Sequence, residues 1–236
     1  MVRRYFLDIE TIPPPEELRS LINPELVRNL CRRGGPQKNF HEHEQVDVSG
    51  CTDEQFRFMA LHAEYGRILT IGIILEQDGK VIHSGLLGRE RSSGLFHLDE
   101  ERTLRAFWRL LRDFNTGCDL IIGHNIMDFD LPFIYKRSRI NRVCPSILLS
   151  FARYKSAPIY DTMREWMHWN PHAAQISLPH LADILKVGIT KMEGMDGSRV
   201  YDEFLAGNHE VIARYCLQDV KVVQAIYYRM IFTKCQ

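Results

Sequence analysis

The chain has 236 residues, of which 45% are hydrophobic and 25% charged, a balance typical of an ordinary folded protein. Its 30 basic and 30 acidic residues cancel, which argues against a protein that coats nucleic acid through strong positive charge. No apolar run approaches the roughly 18 residues of a membrane span, and Met1–Asp8 lacks the long apolar segment of a signal peptide. We therefore expect a cytoplasmic protein that does not enter membranes, with its six scattered cysteines reduced.

The first predicted element is a strand over Arg3–Asp8. A run of three prolines follows it and ends any regular structure, and a helix is predicted over Glu16–Arg32. Residues 33–52 show no apolar periodicity and predict a loop, so we expect an insertion around residues 13–52. A short helix over Asp53–Glu64 then returns the chain to the core.

Two strands, Ile68–Glu76 and Lys80–Leu87, flank an Asp-Gly pair that predicts a tight hairpin turn. The rest of the chain predicts a short buried strand and five helices, of which the first is capped by Asp99. These six elements are Asp99–Phe114, Leu120–Ile122, Leu131–Arg139, Thr162–Trp169, Leu178–Leu185 and His209–Ile231. Paired strands followed by alternating strand and helix predict one α/β domain over residues 1–236, with a mixed central sheet flanked by helices.

Polar residues cluster where two of the predicted strands end. Asp8 and Glu10 lie two residues apart at the end of the first strand, and the alternation of side chains sends both carboxylates to one face. Asn125, Phe129 and Asp130 follow the short buried strand, and Asp130 begins a helix. Two like charges held together, as in the first cluster, require a cation.

A third cluster lies on the last predicted helix, where the four-residue spacing sets Tyr215 and Asp219 on one face. The three clusters, in this order and at these spacings, resemble the motifs of the DEDD exonuclease superfamily, and the tyrosine indicates its DEDDy branch. Within that branch the chain resembles the proofreading exonuclease domain of family B DNA polymerases, in a free-standing form.

This resemblance implies an RNase H-like (DnaQ-like exonuclease) α/β fold with Asp8 at the centre of the sheet. It implies a 3′-5′ exonuclease that hydrolyses phosphodiester bonds from the 3′ end of single-stranded DNA by a two-metal mechanism and releases 5′-mononucleotides. Asp8, Glu10, Asp130 and Asp219 would be the metal ligands, and Tyr215 would orient the attacking water. Carboxylate oxygens suit Mg²⁺ or Mn²⁺ better than zinc, so two such ions are expected.

Four further residues are predicted to hold the substrate. By resemblance, Thr11 and Ile12 would line the pocket of the terminal nucleotide, and Asn125 would bond the strand. Phe129 would stack on a base, although an ordinary core position is an equal alternative. The expected partners are a nucleic acid, namely single-stranded DNA with RNA as the alternative, and a DNA polymerase or repair protein.

Two other functions fit the same residues. A non-catalytic module would grip 3′ ends for a polymerase or repair partner, but a pure binder gains nothing from negative charge concentrated near phosphate. A 3′-5′ exoribonuclease would differ in its contacts to the 2′-hydroxyl, which the sequence does not expose. A zinc site is a weaker hypothesis, because the spacing of its candidate ligands includes no Cys-x2-Cys pair. Those candidates are Cys31, His41, His43 and Cys51.

Several other residues have a plain structural interpretation. Asp161 is expected to cap the helix that follows it, and a role in supporting the metal site is the less favoured one. Trp166 and Trp169, three apart on a predicted helix, are expected to pack, and a platform for bases is the less favoured alternative. Arg153, Lys155 and Lys191 are candidate phosphate contacts, although isolated basic residues are usually surface charge.

Overall fold

The structure is a computed structural model, and the residues it describes are 1–21, 52–188, 192 and 194–233. The chain divides into two compact units, one formed by Met1–Glu10 with Ile68–Gln236 and the other by Thr11–Arg67. Most of the predicted insertion, the four candidate zinc ligands and Lys191 lie outside the described residues. The single-domain organisation therefore stays a prediction.

A mixed sheet forms the framework of the larger unit. Its strands are β1 (Arg3–Ile12), β2 (Arg67–Gln77), β3 (Lys80–Leu87), β4 (Leu120–Gly123) and β5 (Ile159–Asp161). The five strands lie in the order β3-β2-β1-β4-β5. β1 pairs in parallel with β4, β4 pairs in parallel with β5, and β2 pairs antiparallel with β3. The middle strand is β1, so Asp8 and Glu10 lie at the centre of the sheet, as predicted.

Seven α-helices lie within the described residues. They are α1 (Asp53–Phe58), α2 (Glu100–Leu110), α3 (Asp130–Ile140), α4 (Thr162–Trp166), α5 (Leu178–Leu185), α6 (Val200–Leu205) and α7 (His209–Met230). In the described part of the chain, no helix combines the length and the apolar character needed to cross a bilayer.

The hairpin and the predicted cap of α2 are confirmed. Asp78 and Gly79 between β2 and β3 both have positive φ, of 49° and 80°, as the tightest two-residue hairpin turns require. The Asp99 carboxylate accepts a hydrogen bond from the Arg102 backbone N–H at 2.9 Å. The helix that it caps ends at Leu110, one turn earlier than predicted.

Two other predicted helices are also shorter in the structure, and a third can be followed only in part. The helix predicted over Glu16–Arg32 begins as a 3-10 turn over Glu16–Leu21, and its continuation lies outside the described residues. α1 gives way after Phe58 to a 3-10 turn over Met59–Leu61. α4 ends at Trp166, because His168 and Trp169 adopt positive φ, which is incompatible with a right-handed helix.

Burial of apolar side chains brings α7 onto β1. The buried cluster includes Phe6, Ile74 and Ile122 from the sheet, Leu178 and Leu181 from α5, and Val220, Val223 and Ile226 from α7. Each such side chain contributes roughly 1.5 to 3 kcal/mol when fully buried. Because side chains alternate along a strand, Asp8 and Glu10 share the face of Phe6, and the N-terminal half of α7 covers them.

A glycine on β2 permits this close approach. A Cβ atom at Gly72 would lie 2.7 Å from Cys216 Sγ and 2.9 Å from Val220 Cγ2, closer than non-bonded atoms tolerate. The bare backbone of Gly72 therefore makes room for the turn of α7 that carries Tyr215 and Asp219.

Candidate active site

The centre of the site is the pair of carboxylates on β1. Asp8 is half-buried, and Glu10 is only 6% exposed. Oxygen atoms of both side chains and the Cys216 sulfur all lie within 4.8 Å of one another. The strand geometry thus holds two like charges side by side at a position with little solvent.

The third carboxylate reaches β1 from the neighbouring strand. β4 pairs with β1 and leads through a loop into α3, whose first residue is Asp130. Asp130 is 4% exposed, and its Oδ1 accepts a hydrogen bond from the Ile9 backbone N–H at 3.1 Å. Since Ile9 separates Asp8 from Glu10, this bond fixes Asp130 beside both of them.

The remaining two predicted residues come from α7. Tyr215 is buried, and its hydroxyl donates a hydrogen bond to the Asp219 carboxylate one helical turn later. The charge of Asp219 acts on both Asp8 and Glu10. All five residues that the sequence predicted as catalytic are therefore brought together in the larger unit.

The electrostatics of the cluster are unfavourable for bare carboxylates. Burial raises the pKa of Asp8 well above its ordinary value, and the charges of Glu10, Asp130 and Asp219 raise it further. Burial likewise raises the pKa of Glu10, with the charges of Asp219 and Asp130 next in size. For Asp130, burial raises the pKa to about 7. The cluster needs either protons or a cation.

The donor set fits hard divalent cations. Among the described residues, no arginine or lysine forms an ion pair with Asp8, Glu10 or Asp130. Several carboxylate oxygens with no competing cation are the ligands that Mg²⁺ and Mn²⁺ prefer. The residues present therefore suit the ions that the resemblance implies.

Cys216 is a member of this cluster that the sequence analysis missed. Its thiol is fully buried and lies 4.0 Å from the Asp8 carbonyl oxygen. Burial and the charges of Glu10 and Asp8 raise its pKa well above the ordinary value, so the sulfur stays a neutral thiol. The only sequence signal was its place next to Tyr215.

Asp161 organises the loop between β4 and α3. The carboxylate is fully buried and accepts four backbone N–H bonds. Two come from Met163 and Arg164 at the start of α4, so the predicted cap is confirmed. The other two come from Asn125 and Met127, each at 3.0 Å. The same side chain therefore caps a helix and holds the loop that delivers Asp130.

His124, in the same loop, has both ring nitrogens engaged. Nδ1 lies 3.0 Å from Thr162 Oγ1, and Nε2 lies 2.9 Å from the Ile176 carbonyl oxygen. Burial lowers the pKa of His124, which favours the neutral ring. These contacts fix the loop from a second side.

The predicted substrate-binding residues lie in two places. Asn125 adopts a φ of 60°, and its buried Oδ1 has no hydrogen-bond partner in the described part of the chain, which leaves it available to a donor. Phe129 is half-buried, and its ring lies 5.6 Å from that of Phe133. Thr11 and Ile12 end β1 in the Thr11–Arg67 unit, and Ile12 is fully buried. The roles of all four stay predictions.

Comparisons with known proteins agree with this geometry. The family described as "Predicted 3'-5' exonuclease related to the exonuclease domain of PolB" matches residues 57–236. The solved structure of the family B DNA polymerase from the hyperthermophilic archaeon Pyrobaculum calidifontis is similar, with a TM-score of 0.57 and 16% identity. The similarity covers 98% of this chain and 25% of the polymerase chain, so the chain spans about a quarter of that protein's length. No curated protein sequence matches the chain. The predicted RNase H-like α/β fold is confirmed.

Proposed function

Because the chain belongs to the family of predicted 3′-5′ exonucleases related to the exonuclease domain of PolB, we propose that it hydrolyses single-stranded DNA from the 3′ end with divalent metal ions. One observation carries the proposal. Carboxylates from β1, α3 and α7, far apart in sequence, lie together with Tyr215 and without a paired arginine or lysine at Asp8, Glu10 or Asp130 among the described residues.

Asp8, Glu10, Asp130 and Asp219 would hold two Mg²⁺ or Mn²⁺ ions. When bound, these ions would activate a water molecule for attack on the phosphodiester and stabilise the charge on the leaving 3′ oxygen. The chain fixes two of its ligands, since the Ile9 N–H holds Asp130 and Glu10 is only 6% exposed. The raised pKa values mean that cation binding displaces protons from these groups.

Tyr215 positions the attacking water rather than deprotonating it. Burial and the nearby charges of Asp219 and Glu10 raise its pKa, so the phenol keeps its proton at neutral pH. A protonated phenol both donates and accepts a hydrogen bond, and Asp219 fixes its direction. The group therefore orients water near the cluster.

Substrate contacts complete the proposal. The unpartnered Asn125 Oδ1 would accept a hydrogen bond from the strand, and Phe129 would stack on a base. Thr11 and Ile12 would contact the terminal nucleotide. Single-stranded DNA as substrate, 5′-mononucleotides as products, a cytoplasmic location and a polymerase or repair partner all belong to the proposal.

A direct assay tests it. Purified protein is incubated with 5′-labelled single-stranded DNA and Mg²⁺, and the shortened strands and released nucleotides are separated. We expect stepwise shortening from the 3′ end, its loss in EDTA, and its loss in Asp219→Ala. Asp183→Ala, which removes an exposed aspartate on α5, is the matched control and should keep full activity. An RNA of the same sequence, run in parallel, decides between deoxyribonuclease and ribonuclease.

Either of two outcomes would refute the proposal. The first is a wild-type protein that binds 3′ ends but shortens neither DNA nor RNA, which would support the non-catalytic module. The second is full activity in Asp219→Ala, which would place the chemistry elsewhere.

A further inference from the structure

A small pocket lies beside the loop that delivers Asp130. Its volume is about 210 Å³, and Met127 and Asp128 of that loop form one wall. The opposite wall comes from the segment before β5 and from the end of α4. We call it the aromatic pocket and define it by Met127, Phe151, Arg153, Tyr154, Arg164 and Trp169.

Exposed aromatic rings are the main feature of this pocket. Tyr154 is 70% exposed and Phe151 is 37% exposed, although burial of such rings is normally favourable. The rings of Tyr154 and Trp169 lie 5.7 Å apart between centroids at 44°. The Trp169 indole donates a hydrogen bond to Glu165 at 2.9 Å, which fixes the orientation of its ring. The pocket thus presents aromatic rings that leave much of their surface exposed to solvent.

The backbone that presents these rings is strained. Tyr154, His168 and Trp169 have φ values of 64°, 49° and 58°, in a region that bulky L-residues rarely adopt. Such conformations are energetically unfavourable and are concentrated at binding and active sites. Two of the three strained residues are the two rings in contact. Trp169 therefore has a different setting from the helical packing position predicted from the sequence.

Positive charge accompanies the rings. Arg153 and Lys155, on either side of Tyr154, have exposed side chains, and Arg164 lines the pocket while its Nε contacts Asp128 at 2.9 Å. Aromatic faces for bases and cations for phosphates are the two components of single-stranded nucleic-acid sites. Arginine beside an aromatic ring also suits stacked bases.

The pocket is tied to the active-site loop. The Asp161 carboxylate that holds the Asn125 N–H also accepts bonds from the N–H groups of Met127 and Arg164, one on each wall. Met127 lies three residues before Asp130, hence at most about 11 Å away along the chain. A stacked strand rises about 3.4 Å per nucleotide, so Met127 lies within about three nucleotide spacings of Asp130.

We propose that the aromatic pocket is a subsite that stacks an unpaired base of the strand a few nucleotides upstream of the 3′ end. Tyr154 and Trp169 supply the stacking faces, and Arg153 contacts a phosphate. The ligand class is single-stranded nucleic acid. The position of the subsite upstream of the 3′ end rests on the proposed function.

The test is the dependence of cleavage on substrate length. We expect the ratio of kcat/KM for a decanucleotide over a dinucleotide to fall about tenfold in Tyr154→Ala, the effect of one lost base stack, mainly through KM. Tyr154→Phe keeps the ring and should keep most of the ratio. Phe232→Ala, which removes a ring that is 95% exposed elsewhere, should leave the ratio at the wild-type value.

A second variant and a second readout keep the two proposals separable. Arg153→Ala should weaken binding of a labelled decanucleotide, measured by fluorescence anisotropy in Ca²⁺. The slope of log affinity against log salt concentration should also fall by about one, the contribution of one phosphate contact. Anisotropy needs no cleavage, so it tests the pocket even if the wild-type protein is inactive. Inactivity of the wild type would refute only the nuclease proposal. The subsite would be refuted if Tyr154→Ala kept both the wild-type dependence of kcat/KM on substrate length and the wild-type affinity for the oligonucleotide.

Discussion

Buried carboxylates occur in two settings in this protein. Glu100, 7% exposed at the start of α2, lies 2.6 Å from the Arg137 guanidinium and accepts the Ile68 backbone N–H at 2.8 Å. Glu10 on β1 is also buried and Asp8 beside it is half-buried, but their neighbours are further carboxylates. The first setting has its compensating charge within the fold, whereas the second has none among the described residues.

The difference separates carboxylates that stabilise the fold from carboxylates that we propose to bind metal ions. A buried charge with a paired guanidinium and hydrogen bonds is a completed structural unit. Several buried carboxylates with raised pKa values are costly to keep together unless a cation offsets their repulsion. Substitutions in the two settings should therefore affect different quantities.

The largest effect is expected at Asp8. Asp8→Ala should lower kcat/KM by roughly a thousandfold or more, because loss of a central metal ligand removes several kcal/mol of charge stabilisation. In EDTA the same variant should melt no lower than the wild type, since one of several like charges has gone. Single-turnover cleavage and thermal denaturation check both parts. A variant that melts much lower but cleaves normally would contradict the assignment.

At Glu100 the effect should fall on stability. Glu100→Ala removes the carboxylate that pairs with the buried Arg137 guanidinium, and breaking a buried ion pair in this way costs about 3 to 5 kcal/mol. Glu101→Ala is the matched control, because the neighbouring Glu101 pairs with Arg105 at the surface, where an ion pair contributes about 1 kcal/mol or less. Urea unfolding measures both, and equal losses would refute the distinction.

Asp161 is a structural carboxylate that also affects the candidate active site, because it holds the loop that carries Asn125 and leads to Asp130. Asp161→Asn replaces an acceptor of several N–H bonds with a group that is half donor, so the loop carrying Asn125 and Asp130 should shift. Displacements of about 1 Å near reacting groups cost up to about a hundredfold in rate, so we expect kcat/KM to fall by ten to a hundredfold. Asp99→Asn, at the cap of α2, is the control, and an equal response in both variants would exclude a positioning role.

Tyr215→Phe should have a smaller effect, of about tenfold on kcat, because a positioned hydroxyl is lost while the ligands remain. The pH dependence of kcat should have the same shape as in the wild type, since the raised pKa of Tyr215 keeps the phenol protonated through the neutral range. A limb near neutral pH that disappears in Tyr215→Phe would show that the tyrosine acts as a base instead.

The smallest effect concerns stability and pH in the metal-free protein. Asp130 has a pKa of about 7 in the fold against an ordinary value of 3.8, so the folded state binds more protons between these values. The stability that this group contributes is present below the lower value and is lost as pH rises through the higher one. Added Mg²⁺ should therefore raise Tm more at pH 8 than at pH 5.5, by a few degrees. An equal rise at both values would contradict the raised pKa.

Local signals predicted most of the framework, although not β5 or α6, and they grouped the predicted catalytic residues within each motif. Alternation along β1 placed Asp8 and Glu10 on one face, and the four-residue spacing on α7 placed Tyr215 above Asp219. The turn at Asp78 and Gly79 follows from the φ values that these residues tolerate. These features depend on neighbours in the chain, so sequence patterns report them.

Features that depend on distant partners could not be predicted in the same way. The cap by Asp161 was predicted, but its bonds to Asn125 and Met127 join residues 36 and 34 positions apart. Cys216 gave no pattern of its own and reaches the cluster only because β1 lies beneath α7. Trp169 was predicted on a helix, and its positive φ ends that helix early.

The most direct test of the central claim is a crystal structure of the protein with Mn²⁺ and a 5′-mononucleotide, using anomalous scattering to locate the metal. The account predicts two Mn²⁺ ions bound by carboxylate oxygens of Asp8, Glu10, Asp130 and Asp219, with the nucleotide phosphate against them. It would be contradicted if the ions bound elsewhere, or if a lysine or arginine side chain neutralised these carboxylates in their place.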